Sequence, residues 1–419
     1  MFSHEDSLQK DRNDSLASFR SQFHFPRDAQ GSLLYFCGNS LGLQPIQTKE
    51  YVMQELDDWS EFGVEGHLEA ERPWVRYHEF LTEPMAAAVG ALPHELVVMN
   101  TLTVNLHLMM VSFYRPTKSR HKILIEYSAF PSDRYAVESQ IRFHGFDPKE
   151  SLILLTPKDQ NEYVSWENIK EVLESHGEEI ALVLIGSVNY YTGQAYPIKK
   201  ITDLAHKYGC KVGFDLAHGA GNLLLDLHND APDFAVWCSY KYLNSGPGSL
   251  AGCFVHEKHA DDYEIPRFAG WWGHNKVDRF KMSPQMKLMR GAEGWQLSNP
   301  PILPMACMLS SLQLFSKAGM PALRKKSLEL SEYLIQLLQS LNHPSIRILT
   351  PQSEEERGSQ VSIQIRGGDK RIYNELKNIR IIADWREPDV IRVAPVPLYN
   401  SFSDVYFFYD ALKNIIQSK

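Results

Sequence analysis

Apolar runs alternate with amphipathic segments along most of the chain, as in a protein built from alternating strands and helices. Continuous apolar runs predict strands buried on both faces, at residues 122–127, 152–155, 180–185 and 212–216. Residues 133–143 predict a helix between the first two strands, and residues 198–208 carry apolar side chains at helical spacing before Gly209. Serial strand–helix–strand units predict a mostly parallel sheet covered by helices, which binds ligands at the carboxyl ends of its strands.

The 419 residues are enough for two domains, and the pattern also predicts an amino-terminal arm. Residues 1–55 form the predicted arm, which contributes to the small domain and, if the chain forms a dimer, to the contact between the two copies. Residues 56–310 form the predicted large domain, and residues 311–419 form a smaller α/β domain. A long helical stretch at residues 301–341 precedes the shorter strands and helices of that domain. These are predicted at residues 346–349, 361–365, 370–378, 391–394 and 403–417.

The composition is that of an ordinary soluble globular protein, with 43% hydrophobic and 22% charged residues. A formal net charge of −8 and the lack of a dense basic run argue against a nucleic-acid partner. No apolar run is long enough to cross a bilayer, and the polar amino terminus does not resemble a secretory signal, so we expect no membrane partner and a cytoplasmic location. Five cysteines without CxxC spacing disfavour a disulfide framework and a zinc knuckle.

The most informative stretch is residues 237–248, in which Lys241 follows an apolar strand and precedes a glycine-rich turn. A lysine amine condenses with aldehydes to form a Schiff base, and pyridoxal phosphate uses that bond to await an amino-acid substrate. The alternative is a solvated surface lysine at the end of a strand. Upstream, Asp215 ends another apolar strand, where its carboxylate would pair with a protonated ring nitrogen or, alternatively, cap a helix.

Two junctions between a strand and a helix carry groups that suit a bound cofactor. Residues 100–105 precede an apolar helix at residues 106–113, and the first-turn amides together with the Thr103 hydroxyl are candidate phosphate donors. An ordinary threonine cap is the alternative. Residues 130–133 also lead from a strand into a helix, and they place an aromatic face and a carboxylate near the same edge of the sheet.

Ten short runs together resemble the kynureninase family of fold-type I pyridoxal-phosphate enzymes, whose fold is like that of class V aminotransferases. The runs are FCGNSLGLQP, RPW, MNTLTVNLHLMM, FPSDRYAVESQ, YYTGQ, VGFDLAH, WCSYKYLN, GWWGH, LSNPPIL and IRVAPVPLYNSF. The resemblance extends from about Tyr35 to the carboxyl-terminal helix. The strand-end aspartate and lysine are shared with aminotransferases and cysteine desulfurases, whereas FPSD, WCSYKYLN and RVAPVPLYNS are more specific. This chain has Gly186-Ser187 where some members have Ser-Gly, so we assign neither residue a cofactor contact.

The resemblance implies a fold-type I transferase fold, α/β in class, in which a mostly parallel sheet is flanked by helices and followed by a smaller carboxyl-terminal α/β domain. It implies that Lys241 is the Schiff-base lysine and that Asp215 is the partner of the pyridine nitrogen. Tyr240, next to the lysine, is our candidate for a proton shuttle. The implied cofactor-binding residues are Leu102, Thr103, Phe130, Ser132, Asp133, Asp215, His218, Tyr240, Lys241, Trp271 and Asn299. Trp271 and Asn299 are expected to come from a neighbouring subunit.

Arg392 matches the arginine that grips the substrate carboxylate in the family, a task suited to its bidentate fork, and an interdomain salt bridge is the alternative. The other implied substrate-binding residues are Ser40, His67, His274, Ser298 and Asn299. The implied reaction cleaves the Cβ–Cγ bond of kynurenine or 3-hydroxykynurenine with water, in tryptophan catabolism and NAD biosynthesis. It yields anthranilate or 3-hydroxyanthranilate and alanine. Polar side chains at His67, Ser298 and Asn299 favour the hydroxylated substrate.

Other functions are open alternatives. An aminotransferase would need a keto-acid co-substrate. A cysteine desulfurase would need a mobile nucleophilic cysteine, and neither Cys238 in a strand nor Cys307 in an apolar stretch suits that role. A non-catalytic ligand-binding relative would have no need of Lys241, Asp215 and Arg392 together.

The sequence predicts no metal site. A homodimer is predicted only through the resemblance to the family. His256 and His259 form an HxxH pattern, but the pattern lacks a carboxylate partner and is more typical of a solvated strand end. If the site borrows residues from a neighbouring subunit, as in the family, the protein is a homodimer with shared active sites.

Overall fold

The computed structural model describes residues 2–158, 163–367 and 370–417, so residues 1, 159–162, 368–369 and 418–419 of the predicted domains lie outside the described part. The helices are α1 His4–Arg12, α2 Thr48–Phe62, α3 Gly66–Glu69, α4 Glu79–Val89, α5 Leu102–Phe113, α6 Pro131–Phe143, α7 Pro148–Ser151, α8 Trp166–His176, α9 Ile198–Lys207, α10 Leu227–Asp230, α11 Ile302–Ala318, α12 Met320–Ser340, α13 Arg371–Asn378 and α14 Phe402–Gln417. The strands are β1 Phe23–His24, β2 Arg27–Asp28, β3 Gly31–Ser32, β4 Leu34–Tyr35, β5 Gln44–Pro45, β6 Leu96–Met99, β7 Lys122–Glu126, β8 Leu152–Leu155, β9 Ile180–Gly186, β10 Lys211–Asp215, β11 Phe234–Cys238, β12 Ala251–Val255, β13 Ile346–Ile348, β14 Val361–Ile365, β15 Ile381–Ile382, β16 Asp384–Arg386 and β17 Val390–Val393.

A seven-stranded sheet forms the centre of the fold, with the strand order β6-β12-β11-β10-β9-β7-β8. Strands β7 to β11 pair in parallel. Strand β12 is antiparallel to both of its neighbours, β11 and β6. The α/β fold class with a mostly parallel sheet is therefore confirmed, and the antiparallel strand is the one that follows the glycine-rich turn after Lys241.

Apolar side chains fill both faces of this sheet, as the continuous apolar runs predict. In β9, Val183 and Ile185 point into one core cluster, whereas Leu182 and Leu184 point into the cluster on the opposite face. Burial on both faces is typical of parallel strands that helices cover on each side. Among the described residues, no helix is both long enough and apolar enough to cross a bilayer.

The carboxyl ends of the parallel strands gather chemically active residues at one edge of the sheet. Strand β7 ends at Glu126, β10 ends at Asp215, and β11 ends at Cys238, three residues before Lys241. Gly186, the last residue of β9, pairs directly with Asp215. The parallel register therefore brings side chains that are far apart in sequence to a common edge, where α/β proteins bind ligands.

A second, antiparallel sheet with the order β13-β14-β17-β16 forms the smaller carboxyl-terminal part. Its core includes side chains from α12, α13 and α14. The amino-terminal arm joins this part, because β4 pairs in parallel with β15 and α1 packs against α14. Part of the predicted arm therefore packs on the smaller sheet, and its contributions to a small domain and to a dimer contact stay predictions.

The structure differs from the sequence-based predictions at the long helical stretch and at the predicted domain boundaries. The single helical stretch predicted at residues 301–341 is two helices, α11 and α12, because Gly319 between them adopts a φ of 75°, which an α-helix does not accommodate. The predicted domain boundaries after residues 55 and 310 fall inside α2 and α11, which pack against each other. The division into an arm and two domains stays a prediction.

Candidate active site

A cavity of about 140 Å³ opens at the carboxyl edge of the central sheet. It is lined by Leu102, Thr103, Glu126, Phe130, Ser132, Asp133, Gly186, Val188, Tyr190, Asp215, Ala217, His218, Tyr240 and Lys241. Every residue predicted to bind a cofactor lines it except Trp271 and Asn299. The sequence reasoning did not anticipate the contributions of Glu126, Gly186, Val188, Tyr190 and Ala217. The fold thus brings the predicted cofactor residues together, while their roles stay predictions.

Lys241 stands in a turn between β11 and β12 that one side-chain and one backbone hydrogen bond hold in place. The Ser239 hydroxyl donates to the Leu250 carbonyl, and the Ser245 amide donates to the Ser239 carbonyl over 3.1 Å. The amine of Lys241 lies 5.8 Å from the centroid of the Phe130 ring. Among the described residues it makes no hydrogen bond or ion pair, so it is free to react with a bound carbonyl group.

Two carboxyl groups, those of Asp133 and Asp215, are buried side by side in the cavity. Asp215 accepts a hydrogen bond of 2.6 Å from the Ala217 amide, whereas Oδ1 of Asp133 is buried without a partner in the described structure. Burial raises the pKa of both groups, and the charge of Asp215 raises the pKa of Asp133 further. The ammonium group of Lys241 lowers both pKa values. Ionisation of both carboxyls is therefore disfavoured, and a cation placed beside the pair would favour it.

Two helix amino termini meet at another part of the cavity wall. Helix α5 begins at Leu102 and helix α6 at Pro131, and the N-cap residue of neither helix makes a side-chain capping bond. The hydroxyl oxygens of Thr103 and Ser132 are 3.0 Å apart. Because the first amides of a helix lack partners within the helix, these termini and hydroxyls provide donors for an anion. Helix α5 begins four residues earlier than predicted, so Thr103 lies inside its first turn.

Three rings border the space in front of Lys241. The Phe130 and Tyr190 rings meet edge to face, with 5.3 Å between centroids. His218 is buried, and its Nδ1 has no partner among the described residues. Burial lowers the pKa of His218, and the charges of Lys241 and Arg392 lower it further, so the imidazole is neutral at neutral pH. A flat ligand would meet apolar ring faces together with one imidazole nitrogen that is available for hydrogen bonding.

Glu126 is the main site residue that the sequence reasoning missed. Both of its carboxyl oxygens accept from the Gly186 amide, each over 3.2 Å. A Cβ atom at position 186 would lie 2.8 Å from Glu126 Oε1, so the glycine makes room for this carboxyl and itself lines the cavity. Burial raises the pKa of Glu126 to about 7. The signal was present in the sequence, because Glu126 ends an apolar strand just as Asp215 does.

Arg392 lies beside the cavity rather than in its wall. Its guanidinium donates to the Asp384 carboxylate, to the Tyr190 carbonyl over 2.5 Å and to Ser40 Oγ over 3.4 Å. Ser40 donates in turn to Asp384 over 2.8 Å, so two predicted substrate residues share one network. Burial lowers the pKa of Arg392, but an arginine stays charged at neutral pH. The salt bridge joins adjacent strands of the small sheet, and Tyr190 links it to the cavity.

Besides Ser40 and Arg392, five predicted site residues lie outside the cavity of the single chain. They are His67, Trp271, His274, Ser298 and Asn299. His67 lies on the short helix α3, and Nε2 of the buried His274 has no partner in the described structure. Trp271 is 40% exposed, and Ser298 and Asn299 are exposed as well. One chain alone therefore does not bring these residues to the reacting groups.

The two histidines of the HxxH pattern contact different carboxyl groups. His259 Nε2 lies 2.7 Å from Asp233 Oδ1, whereas His256 Nε2 lies 4.0 Å from Glu95 Oε1. Glu95, His228 and His256 place three ligand-type atoms within 4.8 Å of one another. The buried Glu95 already accepts two backbone amides over 2.8 Å each, which gives its carboxylate a structural role. The prediction that the protein holds no metal stays a prediction.

The donor set of the cavity matches a phosphorylated aromatic aldehyde in chemical type. The free amine of Lys241 suits the aldehyde, and the two helix termini suit the phosphate. The carboxyl of Asp215 suits a ring cation, and the unpartnered atoms of Asp133 and His218 suit polar groups on the ring. Such a site can hold a carbonyl compound covalently and move protons beside it.

The sequence of this chain is similar to those of known proteins from one family. Residues 323–412 match the family model described as the kynureninase C-terminal domain. The chain is 56% identical to a kynureninase of Myxococcus xanthus over 404 residues, which covers 96% of this chain and 95% of the relative. It is 53% identical to a kynureninase of Koribacter versatilis over 403 residues, with the same two coverages of 96% and 95%.

Solved structures share the fold at low sequence identity. The cysteine desulfurase CsdA of Escherichia coli superposes with a TM-score of 0.77 at 17% identity, over 96% of this chain and 98% of that chain. A mutant of C-DES with glycine covalently linked to its PLP cofactor superposes with a TM-score of 0.77 at 19% identity, over 94% of this chain and 99% of that chain. At these identities the likeness establishes the fold and carries no statement about activity.

The buried carboxyl of Glu126 gives a pH-dependent prediction for the cofactor-free protein. Its folded pKa of about 7 lies above the ordinary value of 4.5, so the folded state binds the proton more tightly than the unfolded state. The wild type should therefore lose stability as the pH rises from 4.5 to about 7. Glu126→Gln cannot ionise, and over this range it should gain on the order of 3 kcal/mol relative to wild type.

Urea unfolding at several pH values between 5 and 8 measures this difference. Glu167→Gln, an exposed glutamate of α8, is the matched control for the same chemical change at the surface. Parallel stability curves for wild type and Glu126→Gln would show that Glu126 does not hold a proton in the folded protein.

Proposed function

The chain belongs to the kynureninase family, and from this premise we propose that Lys241, Asp215, Tyr240 and Arg392 carry out its reaction in and beside the cavity of the central sheet. The protein is a kynureninase, a pyridoxal-phosphate-dependent hydrolase that acts on a carbon–carbon bond. Its reaction hydrolyses the Cβ–Cγ bond of kynurenine or 3-hydroxykynurenine. The products are anthranilate or 3-hydroxyanthranilate and alanine.

The observation that carries the proposed roles is the amine of Lys241, which has no partner among the described residues, beside the buried Asp133–Asp215 pair. Lys241 would hold the aldehyde carbon of pyridoxal phosphate, and Asp215 would hold its ring nitrogen. Thr103 and Ser132, with the first amides of α5 and α6, would hold the phosphate. When bound, pyridoxal phosphate supplies an electron sink for the bonds at the substrate Cα. The unpartnered buried atoms of this site are the groups that such a ligand would satisfy.

The residues around Lys241 set where protons reside during the reaction. The amine of Lys241, once released by the substrate, accepts the proton from the substrate Cα. Asp215 is strongly buried, so its carboxylate is stabilised by a cation, and it would keep the ring nitrogen of a bound cofactor protonated. The neutral His218 would donate or accept a hydrogen bond beside the cofactor ring without adding charge.

Arg392 and Tyr240 act on the substrate itself. The guanidinium of Arg392 binds the substrate carboxylate and thereby orients the Cα toward Lys241. Burial raises the pKa of Tyr240, so its hydroxyl keeps its proton at neutral pH and is available to donate it. We assign Tyr240 the transfer of a proton at the Cγ carbonyl, where water adds before the bond to Cβ breaks.

The cysteines do not support the desulfurase alternative. None of the five, all of which the structure describes, lines the cavity. Burial raises the pKa of Cys238 and of Cys307, which keeps both thiols protonated and unreactive. All five cysteines are free thiols, and we propose a cytoplasmic location for the protein because unpaired thiols are typical of that reducing compartment.

We propose a homodimer in which each active site takes residues from both chains. Trp271 and Asn299 match cofactor positions of the family, yet neither lines the cavity of its own chain. The segment around Trp271 exposes several large apolar side chains, those of Phe268, Val277, Phe280 and Met282, which are 58% to 81% exposed. Apolar side chains exposed in one segment indicate a surface that a second copy covers.

Reductive labelling tests the proposed position of the cofactor. Borohydride treatment of protein loaded with pyridoxal phosphate should fix the cofactor on Lys241, and peptide mapping identifies the labelled residue. The loaded protein should also release alanine from kynurenine without any keto acid, which separates hydrolysis from transamination. Lys258, a solvated lysine that pairs with Asp233, is the internal control and should stay unlabelled. A label on any lysine other than Lys241 would contradict the assignment.

Removal of the Tyr240 hydroxyl should separate cofactor binding from bond cleavage. Tyr240→Phe should load pyridoxal phosphate with an unchanged visible spectrum but cleave kynurenine about 100-fold more slowly, because it lacks the proton donor. Tyr242→Phe is the matched control, since the buried Tyr242 hydroxyl has no hydrogen-bond partner in the described structure. Equal turnover by wild type and Tyr240→Phe would exclude the proposed shuttle.

Subunit complementation tests the shared active site. Lys241→Ala and Asn299→Ala should each be strongly impaired alone, because every site of each homodimer lacks one residue. When the two variants are coexpressed, about half of the dimers are mixed and each has one intact site, so about a quarter of wild-type activity should return. Activity no higher than the sum of the two separate variants would show that each site is built from one chain.

A further inference from the structure

The register of the small sheet places three charged side chains on one face. Strands β16 and β17 are antiparallel, with Asp384 directly opposite Arg392. Arg386 lies two residues beyond Asp384 on the same strand, so its side chain points to the same face. Trp385 between them belongs to the apolar core on the other face. The hairpin therefore presents one carboxylate between two guanidinium groups.

Asp384 Oδ2 is shared by both arginines. Arg386 donates to it over 3.1 Å, Arg392 donates to it, and the Ser40 hydroxyl donates to it over 2.8 Å. The two arginines carry two positive charges, and Asp384 carries one negative charge. The cluster of Asp384, Arg386 and Arg392 therefore keeps one positive charge in excess, which is the charge needed to receive one carboxylate.

Tyr190 lies between this cluster and the cavity, because its ring is close to both arginines and also lines the cavity. The guanidinium carbons of Arg392 and Arg386 lie 5.9 Å and 6.0 Å from the centroid of the Tyr190 ring, and Tyr190 lines the cavity. Both arginines also act electrostatically on His218 in the cavity wall. The Nε atoms of both are buried without a hydrogen-bond partner in the described structure. Donor capacity thus remains on each arginine after the contacts with Asp384 are counted.

Arg392 paired with Asp384 alone would form a neutral unit with little attraction for an anion. Because the Arg392 side chain is 1% exposed, water does little to screen the neighbouring Asp384 charge from an incoming carboxylate. A second cation on Asp384 removes that repulsion. Arg386 is the residue of the described structure that pairs with Asp384 in addition to Arg392.

We propose that Arg386 sets the affinity for the substrate carboxylate by neutralising Asp384, which leaves the charge of Arg392 available to the substrate. In this arrangement Asp384 is a positioning residue that holds the guanidinium of Arg392, and Arg386 offsets the charge of Asp384. The inference rests on the proposed function of Arg392 as the carboxylate-binding residue. It adds a residue, Arg386, that determines affinity without entering the bond-breaking step.

A charge-balance cycle tests the proposal with two probes, L-kynurenine and its analogue that lacks the α-carboxylate. Arg386→Gln brings the cluster to zero net charge and should weaken L-kynurenine binding about tenfold while leaving the binding of the analogue unchanged. Asp384→Asn added to Arg386→Gln returns the cluster to one positive charge. The double variant should therefore bind L-kynurenine more tightly than the single variant Arg386→Gln.

Three measurements make the outcome decisive. Binding is read from the spectral change of the loaded protein, and the thermal midpoint of each variant reports on the fold. Arg380→Gln removes an arginine from a salt bridge of similar length, 3.0 Å to Asp28, and should leave binding of both probes unchanged. Separate KM and kcat values should place the Arg386→Gln effect in KM, because Arg386 does not enter the cleavage step.

The results that would overturn this inference differ from those that would overturn the role of Arg392. Unchanged L-kynurenine binding in Arg386→Gln, equal loss for both probes, or a double variant weaker than the single one would each exclude the role of Arg386. The role of Arg392 fails instead if the wild type binds L-kynurenine no more tightly than the analogue. In that case no carboxylate site exists for Arg386 to support.

Discussion

The structure depends on an excess of buried carboxyl groups over cations at one edge of the central sheet. The carboxyl groups of Glu126, Asp133 and Asp215 share one buried edge of the sheet with a single amine, that of Lys241. Taking a carboxylate out of water costs several kcal/mol unless a cation or good hydrogen-bond donors replace the water. Burial accordingly raises the pKa of all three carboxyls. This edge is suited to a ligand that brings a cationic ring and an anionic phosphate to opposite ends of the same cavity.

The small sheet carries an excess of positive charge, because two arginines share the single carboxylate of Asp384. Tyr190 and His218 lie between the two regions. An amino-acid substrate carries both charges, and in the proposed function the two regions would orient it, with its carboxylate toward the surplus positive charge at Arg392 and its nitrogen toward Lys241. The fold produces this arrangement because a parallel sheet and an antiparallel hairpin each fix the register of their charged residues, and the arm carrying Ser40 connects them.

Sequence patterns predicted the central sheet well because its strands are buried on both faces and read as continuous apolar runs. The same reasoning identified Asp215 and Lys241, whose charges stand out after such runs. It passed over Glu126, although that residue ends a strand in the same way, because the space for its carboxyl depends on Gly186 of the adjacent strand. The break at Gly319 was missed because helical spacing continues on both sides of it, and only a backbone angle of 75° separates the two helices.

The sequence by itself determined the fold class, the positions of Asp215 and Lys241 at or just after strand ends and, through its motifs, the family. These features follow from local patterns, since apolar periodicity and residue type are written along the chain. The tertiary structure decided which side chains meet: the Asp133–Asp215 pair, the contact of Glu126 with Gly186, and the sharing of Asp384 by two arginines. It also placed Trp271 and Asn299 outside the cavity of their own chain. Such contacts depend on strand register and packing between distant segments, and no local pattern contains that information.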